Sequence, residues 1–392
     1  MKIMKVMKIF FIFFLITAAA LPQNSVMVFQ NNSDYMHKAL YDLITKNIFL
    51  YSNFKIIETK ENNNYNQVKS KIKELSLKSN SDISILYRIN NFGEGYLLNY
   101  IIYNNSNRWY ENEYYFIEGN MFKAVNRVLD DFYKMNNINI SKDDYIKEDE
   151  YISLIGYYSD IMSNENIYNL FYTFHKDNIY FNMDYLEYLF SHNENANDLI
   201  SNILKNINKK NHYYFYVLGI KYYNSYKINV IYDDIEKSIL NYEEAIRLKP
   251  NSYLYNEKLA KAYLLKNDYE NALKCYENAI ILSDNNTSLI KEALNILNRD
   301  FNKNANKIIE YLNKIISIDN NDDEAIEELA KLYESIGDYE NAYLYYNKLI
   351  NAINYHLYII NNERPNALLY DRYMLKKNRT QTKIKSIENR MK

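Results

Sequence analysis

A chain of 392 residues has room for two domains, and a net charge of -2, from 47 Lys and Arg against 49 Asp and Glu, gives no electrostatic reason to expect nucleic acid as a partner. The single cysteine, Cys275, cannot form an internal disulfide, and six glycines with three prolines suit helices while disfavouring glycine-rich phosphate loops. The 44 tyrosines accompany abundant Asn, Ile and Lys along the entire chain, so they read as a compositional bias ahead of a tyrosine-lined peptide groove.

Lys2, Lys5 and Lys8 precede an apolar run from Ile9 to Ala20 that ends in Ala18, Ala19 and Ala20. At about 1.5 Å per residue this run reaches roughly 18 Å, short of a bilayer core of about 30 Å. Residues 1–20 are therefore expected to be a secretory signal peptide, cleaved near Ala20, which would make the protein periplasmic or exported. An uncleaved, membrane-anchoring signal is the alternative.

Residues 24–136 alternate between two periodicities. Val26–Phe29, Phe54–Glu58, Ile83–Ile89, Tyr96–Tyr103 and Trp109–Ile117 read as strands, and Ser33–Leu50, Tyr65–Lys78 and Met121–Met135 as helices. Asn91–Gly95 and Asn104–Asn107 supply turn chemistry. The resulting order β-α-β-α-β-β-β-α describes an α+β amino-terminal domain with a core of its own. This order, with the phrases Tyr51-Ser52-Asn53-Phe54-Lys55-Ile56-Ile57-Glu58 and Ser81-Asp82-Ile83-Ser84-Ile85-Leu86, resembles the amino-terminal domain of TolB and related envelope assembly proteins. The resemblance implies a periplasmic docking module without catalytic residues.

Residues 143–211 are expected to form two divergent helical pairs, roughly 143–177 and 178–211. The second keeps a 3.6-residue rhythm through Tyr185, Leu186, Leu189 and Phe190 and then Ala196, Leu199, Ile200, Ile203 and Leu204.

Residues 212–352 read as an all-α array. Leu259, Ala260 and Tyr263 lie on one helix and Ala272, Tyr276 and Ala279 on the next, joined by Lys266-Asn267-Asp268-Tyr269. The same spacing returns in Leu329, Ala330, Tyr333, Gly337, Ala342 and Tyr346; Ala272 and Ala342 stand 70 residues apart, two periods of about 34 with one short insertion. Short side chains are needed where antiparallel helices cross, and such a hairpin cannot bury its apolar stripe without neighbours. Thr287–Asp322 supplies one neighbour, with a lengthened turn expected at Asn302-Lys303-Asn304. Another lies upstream, from Leu218-Gly219 through Ser238, Tyr242, Ala245 and Leu248 to Pro250, with about seven extra residues expected to lengthen its turn around Tyr226–Asp233.

These residues give 212–352 its resemblance to tetratricopeptide repeats, from which it departs at Asn256, where a tryptophan is usual, and at Ile308 and Leu349, where alanine is usual. The resemblance implies a solenoid whose first helices line a concave groove for a protein or peptide. In the first clear unit the groove positions are Tyr213, Tyr216, Ile220 and Tyr223, followed in the next by Leu254, Glu257, Lys261, Leu264 and Leu265. The third unit offers Lys291, Asn295, Asn298 and Arg299, and the last Glu324, Glu327, Lys331 and Glu334. A clamp for a terminal carboxylate is excluded, because Glu328 stands where its second half needs asparagine and would repel the ligand.

Residues 353–392 are expected to form a capping helix and a basic tail. From Tyr370 to Lys392 there are eight Lys or Arg and two acidic residues, which suits an anionic membrane surface or an acidic partner, although a solvated tail is the simpler reading.

Chemistry-bearing motifs are scarce. His37, His175, His192, His212 and His356 lack metal-ligand spacing, Gly93-Glu94-Gly95 belongs to a hairpin, and acidic runs such as Asp322-Asp323-Glu324 precede helices as caps. No cofactor or metal is expected. The chain is read as a non-enzymatic scaffold, or alternatively as a membrane-tethered component that self-assembles through its repeats.

Overall fold

The computed structural model describes residues 25–391 apart from 30–34, 59–64, 80, 107, 118–119, 142–143, 149, most of 152–171, 175, 192–194, 208–210, 284–285 and 363–365. The expected signal peptide and most of the 143–177 helical pair lie outside the described residues. The chain divides into two compact units between Ser252 and Tyr253. An α+β domain opens the first unit and helical hairpins follow it, so the expected fold class is the observed one.

In the α+β domain, strands β1 (Ser25–Val28), β2 (Lys55–Glu58), β3 (Ile83–Phe92), β4 (Gly95–Asn104) and β5 (Arg108–Phe116) form one sheet in the order β2-β1-β3-β4-β5. β1 is parallel to both its neighbours, and β3, β4 and β5 form an antiparallel meander. All four residues of β1 are buried, as a central parallel strand covered on both faces requires. Helices α1 (Tyr35–Tyr51) and α2 (Tyr65–Lys78) make the crossovers, and α3 (Met121–Met135) closes the domain. Under α2 lie Met27, Leu86, Ile101 and Tyr103. On the other face Tyr87 Oη donates to His37 O (2.9 Å), tying β3 to α1, and Tyr100 Oη donates to the Asp131 carboxylate of α3. The β3–β4 turn is tighter than expected: Asn91 and Phe92 pair with Tyr96 and Gly95, leaving Gly93-Glu94 as the loop, with Gly93 at φ +61°.

Helix α1 is buried on more sides than a sheet alone can cover. Asn47 of α1 donates to Asp144 O and Tyr180 Oη (both 2.9 Å), and its Oδ1 accepts from Tyr133 Oη (2.8 Å). Lys46 reaches the carboxylates of Asp42 (2.8 Å) and Asp184 (2.5 Å). Burial opposes the Lys46 charge, but Asp184 and Asp42 override it and hold its pKa above the usual lysine value. Of these partners Tyr180 and Asp184 belong to the helical segment that follows the domain: α4 (Ile179–Ser191), α5 (Asn197–Asn206), α6 (His212–Asn229) and α7 (Tyr232–Leu248), each packed on the next from α4 onward.

The carboxyl end of α1 is capped by side chains from this helical segment. Its terminal carbonyls have no partners within the helix. Asn211 Nδ2 donates to Leu50 O (3.0 Å), His212 Nε2 to Phe49 O (2.9 Å), Lys249 Nζ to Phe49 O (2.7 Å) and Ser52 O (2.8 Å), and Asn251 Nδ2 to Asn53 O. Lys249 also lies 4.4 Å from the Phe49 ring centroid. Burial pulls the Lys249 pKa down to about 7, and burial together with the Lys249 ammonium takes His212 down to about 3. A neutral His212 with its proton on Nε2 is the form that can donate to a carbonyl.

The extra residues around Tyr226–Asp233 lengthen the two helices and not the turn. α6 runs to Asn229 and α7 begins at Tyr232, leaving Val230-Ile231 between them, because each added helical residue gains a hydrogen bond that a loop residue lacks. Val230 adopts φ 55° to cap α6, its N–H donating to Tyr226 O (2.7 Å).

In the second unit, α8 (Tyr253–Leu265) and α9 (Tyr269–Leu282), α10 (Thr287–Leu297) and α11 (Phe301–Ile318), and α12 (Asp323–Ser335) and α13 (Tyr339–Asn362) form three hairpins, each packed on the next. The crossing residues Ala260, Ala272, Ala279, Ala293, Ala330 and Ala342 are all buried, as close helix approach demands. The first and last hairpins repeat one turn. Asn267 (φ 60°) and Gly337 (φ 81°) take the left-handed position, and the N–H groups of Asp268 and Asp338 return to Tyr263 O and Tyr333 O (both 2.9 Å). The two aspartates then cap Asn271 N (3.2 Å) and Asn341 N (3.1 Å). In the middle hairpin the turn lies at Asn298–Asp300, a short 3-10 segment, and Asn302-Lys303-Asn304, expected as the turn, are inside α11. Asn304 Nδ2 donates back to Leu297 O (3.0 Å), so a residue with turn character serves the end of α10 from within the next helix.

α14 (Ala367–Met391) packs along α13, where a tail was expected to continue. Among the described residues no helix is long and apolar enough to cross a membrane.

Candidate partner-binding face of the repeats

Tyr213, Tyr216 and Ile220, expected in the groove, are core residues of the first unit, exposed by 3, 4 and 3 per cent. Tyr213 meets the Phe49 ring edge-on (centroids 6.5 Å apart), and Tyr216 packs on Tyr242 (6.2 Å). The face of α6 on which they stand is covered by α1 and α5, so it offers a partner nothing. Tyr223, one turn beyond Ile220, is half-buried.

In the second unit the expected positions do reach the surface. On α8, Leu254, Glu257, Lys261, Leu264 and Leu265 are half-buried; Lys291 on α10 is half-buried, while Asn295, Asn298 and Arg299 in and after it are exposed. On α12, Glu327 and Glu334 are half-buried and Glu324 and Lys331 exposed.

Most of the charges on this face are already paired. Glu257 binds Lys261 and Glu327 binds Lys331, each within one helix. Lys291 bridges adjacent hairpins, lying 3.0 Å from Asp322 and 3.3 Å from Glu324. Asp322 also caps α12 by accepting from Ala325 N (2.8 Å), the role expected of the acidic run. Arg299 lies over the Tyr269 ring, 3.9 Å from its centroid. The second helices are linked in parallel fashion, Lys307 to Glu277 and Tyr345 Oη to Asn313 Oδ1 (2.8 Å). Glu328 stands exposed on α12, and partial desolvation together with Glu324 pushes its carboxyl above the usual value against the opposing pull of Lys331 and Lys291.

The sequence reading missed Lys376, Lys383 and Arg390 of α14 as members of this face. Lys376 reaches Asp323 (2.5 Å) and Glu327 (2.8 Å), and Lys383 and Arg390 reach Glu334 (3.2 and 3.5 Å). Their seven-residue spacing was the available signal, since it puts three cations on one helical face. Among the described residues no cluster of His, Cys, Asp and Glu is arranged to hold a metal ion.

The tetratricopeptide repeat family model matches residues 257–289 and 325–357. A search of curated proteins returns no match. Among solved structures, MamA from Desulfovibrio magneticus RS-1 is 15% identical, with 44% of this chain and 95% of that one covered at a TM-score of 0.28. YrrB, titled a TPR protein with an unusual peptide-binding site, is 16% identical over 44% of this chain and 87% of that one, at a TM-score of 0.27. The APC/C hetero-tetramer Cut9-Hcn1 is 12% identical over 67% of this chain and 46% of that one, at a TM-score of 0.38. At such identities and scores these likenesses carry no inference about function. The matched segments overlap the first and last hairpins of the second unit, which are thus similar to tetratricopeptide repeats.

Proposed function

We propose that this chain is a non-enzymatic scaffold of the cell envelope, and that the first helices of its repeats, α8, α10 and α12, hold a segment of a partner protein. Repeat stacks of this kind present extended surfaces suited to protein–protein interaction. One observation carries the reading: Leu254, Leu264 and Leu265 of α8, Asn295 of α10 and Asn298 just after it are not sealed into the core, unlike Tyr213, Tyr216 and Ile220 of α6. Half-exposed leucines flanked by the paired charges of Glu257, Lys261 and Lys291 form an apolar strip with a polar rim, the composition of a protein-binding patch. The envelope location rests on Lys2, Lys5, Lys8 and the apolar run to Ala20, and the docking role of residues 24–136 on their resemblance to the TolB amino-terminal domain.

Introducing or reversing a charge tests the face. With the partner isolated from envelope extracts, Leu264→Glu and Lys291→Glu are each expected to weaken binding about tenfold or more, as substitutions within a contact patch do. Ile281→Glu, on the exposed side of α9, serves as the control and is expected to leave binding unchanged. Unchanged binding in Leu264→Glu and Lys291→Glu would overturn the assignment.

A further inference from the structure

α14 is held differently from every helix it meets. Of its 25 residues only Thr380 and Ile387 have buried side chains, whereas α13, against which it lies, buries seven. Ion pairs add to its packing on α13. Lys376, Lys383 and Arg390 recur every two helical turns and face Asp323, Glu327 and Glu334 of α12, at the distances given above. Tyr373 adds a ring contact to His356 (centroids 5.1 Å apart), and His356 Nε2 in turn lies 2.9 Å from Asn321 O. Glu327 and Glu334 are positions that the repeat spacing assigns to the partner-binding face, so a segment of the chain itself covers that face at the last repeat.

Partly exposed ion pairs contribute little each and are screened by salt. A helix with so little buried apolar surface is the part of its unit that opens at least cost. We propose that α14 is a detachable latch, the chain's own stand-in for a basic helical segment with cations seven residues apart, and that a partner bearing such a segment binds Asp323, Glu327 and Glu334 by displacing it. The partner half of this proposal rests on the reading of the repeat face as a binding surface; the latch half stands on the ion pairs.

The full-length chain provides the test, with two probes. Hydrogen exchange of α14 is followed at about 0.05 M and about 0.5 M NaCl, and a labelled synthetic peptide of residues 367–391 is titrated onto the chain. In wild type, high salt is expected to speed α14 exchange about tenfold while α8 and α9 stay protected. In the triple variant Lys376→Glu/Lys383→Glu/Arg390→Glu, α14 is expected to exchange fast even at low salt, and the peptide to bind about tenfold tighter than to wild type. Adding Asp323→Lys and Glu334→Lys to the triple variant is expected to restore α14 protection and abolish peptide binding. Protection of α8 and α9 reports that each variant is folded, and the salt arm needs no variant. An α14 as protected as α13 at both salt concentrations, or a peptide that binds wild type and triple variant alike, would overturn the latch. Either outcome leaves the Leu264 and Lys291 test of the repeat face standing, so the two ideas fail separately.

Discussion

Replacing Asn47 by leucine is expected to lower the stability of the first unit by about 3 kcal/mol, because each polar group stranded in a core costs about 1–3 kcal/mol. Leucine keeps the branched shape of asparagine, at a larger volume, and makes none of its hydrogen bonds. Asp144 O and Tyr180 Oη would each lose a donor at 2.9 Å. Tyr133 Oη would lose its 2.8 Å acceptor and keep only the longer bond, 3.2 Å, to the backbone carbonyl of residue 47. These groups belong to the α+β domain and to the helical segment alike, so the substitution attacks the seam between the two. The check is a urea unfolding curve of the full chain, in which the transition of the first unit moves to lower urea and that of the second stays in place. The same core gives a pH dependence with a definite sign. Burial holds the Tyr133 and Tyr180 hydroxyls well above the usual tyrosine value, so above pH of about 10 the unfolded chain releases protons that the folded chain keeps. Stability of the first unit is therefore fully present below that pH and falls as pH rises beyond it.

Gly219→Ala is the second substitution with a large expected effect. A Cβ at this position would stand 2.6 Å from both Cδ1 and Cε1 of Tyr242, a ring buried to 1 per cent exposure with Tyr216 packed beside it. The helices cannot move apart freely, since Ser238 Oγ donates to Gly219 O (2.9 Å) at the same crossing. Alanine ordinarily favours a helix over glycine by about 1 kcal/mol, but overpacking a core costs about 1–3 kcal/mol. A net loss of roughly 1–2 kcal/mol is expected, read as a lower unfolding midpoint of the first unit. A double-mutant cycle identifies the cause: in a Tyr242→Leu background the alanine has room, and its cost should largely disappear.

Much of this fold was legible because its signals are local. Strand alternation in 24–136, the buried run of β1 and the alanines at helix crossings each encode their own surroundings, and the structure carries them at the expected places. The repeated turn was equally readable, since Asp268-x-x-Asn271 and Asp338-x-x-Asn341 close the same hydrogen bonds in the two hairpins. The errors came from signals that only distant partners resolve. Tyr213, Tyr216 and Ile220 carry the spacing of groove residues, but Phe49, about 160 positions earlier, lies against the same face and turns it inward. Asparagines at 302 and 304 favour turns in isolation, yet the helical hydrogen bonds of α11 outweigh that preference. The basic stretch after Tyr370 displayed its charge in the sequence, while the acidic row that receives it is spread over α12, 40 to 60 residues upstream.

The proposed partner-binding face of the repeats is tested most directly by placing a photo-crosslinking residue at Leu264, at Asn295 and, as a control, at Ile281, in the full chain in its native cells. If α8 and α10 hold a partner segment, Leu264 and Asn295 will crosslink to the same protein, within the same stretch of its sequence, and Ile281 will not. Equal crosslinking from Ile281, or none from the two inner positions, would contradict the account.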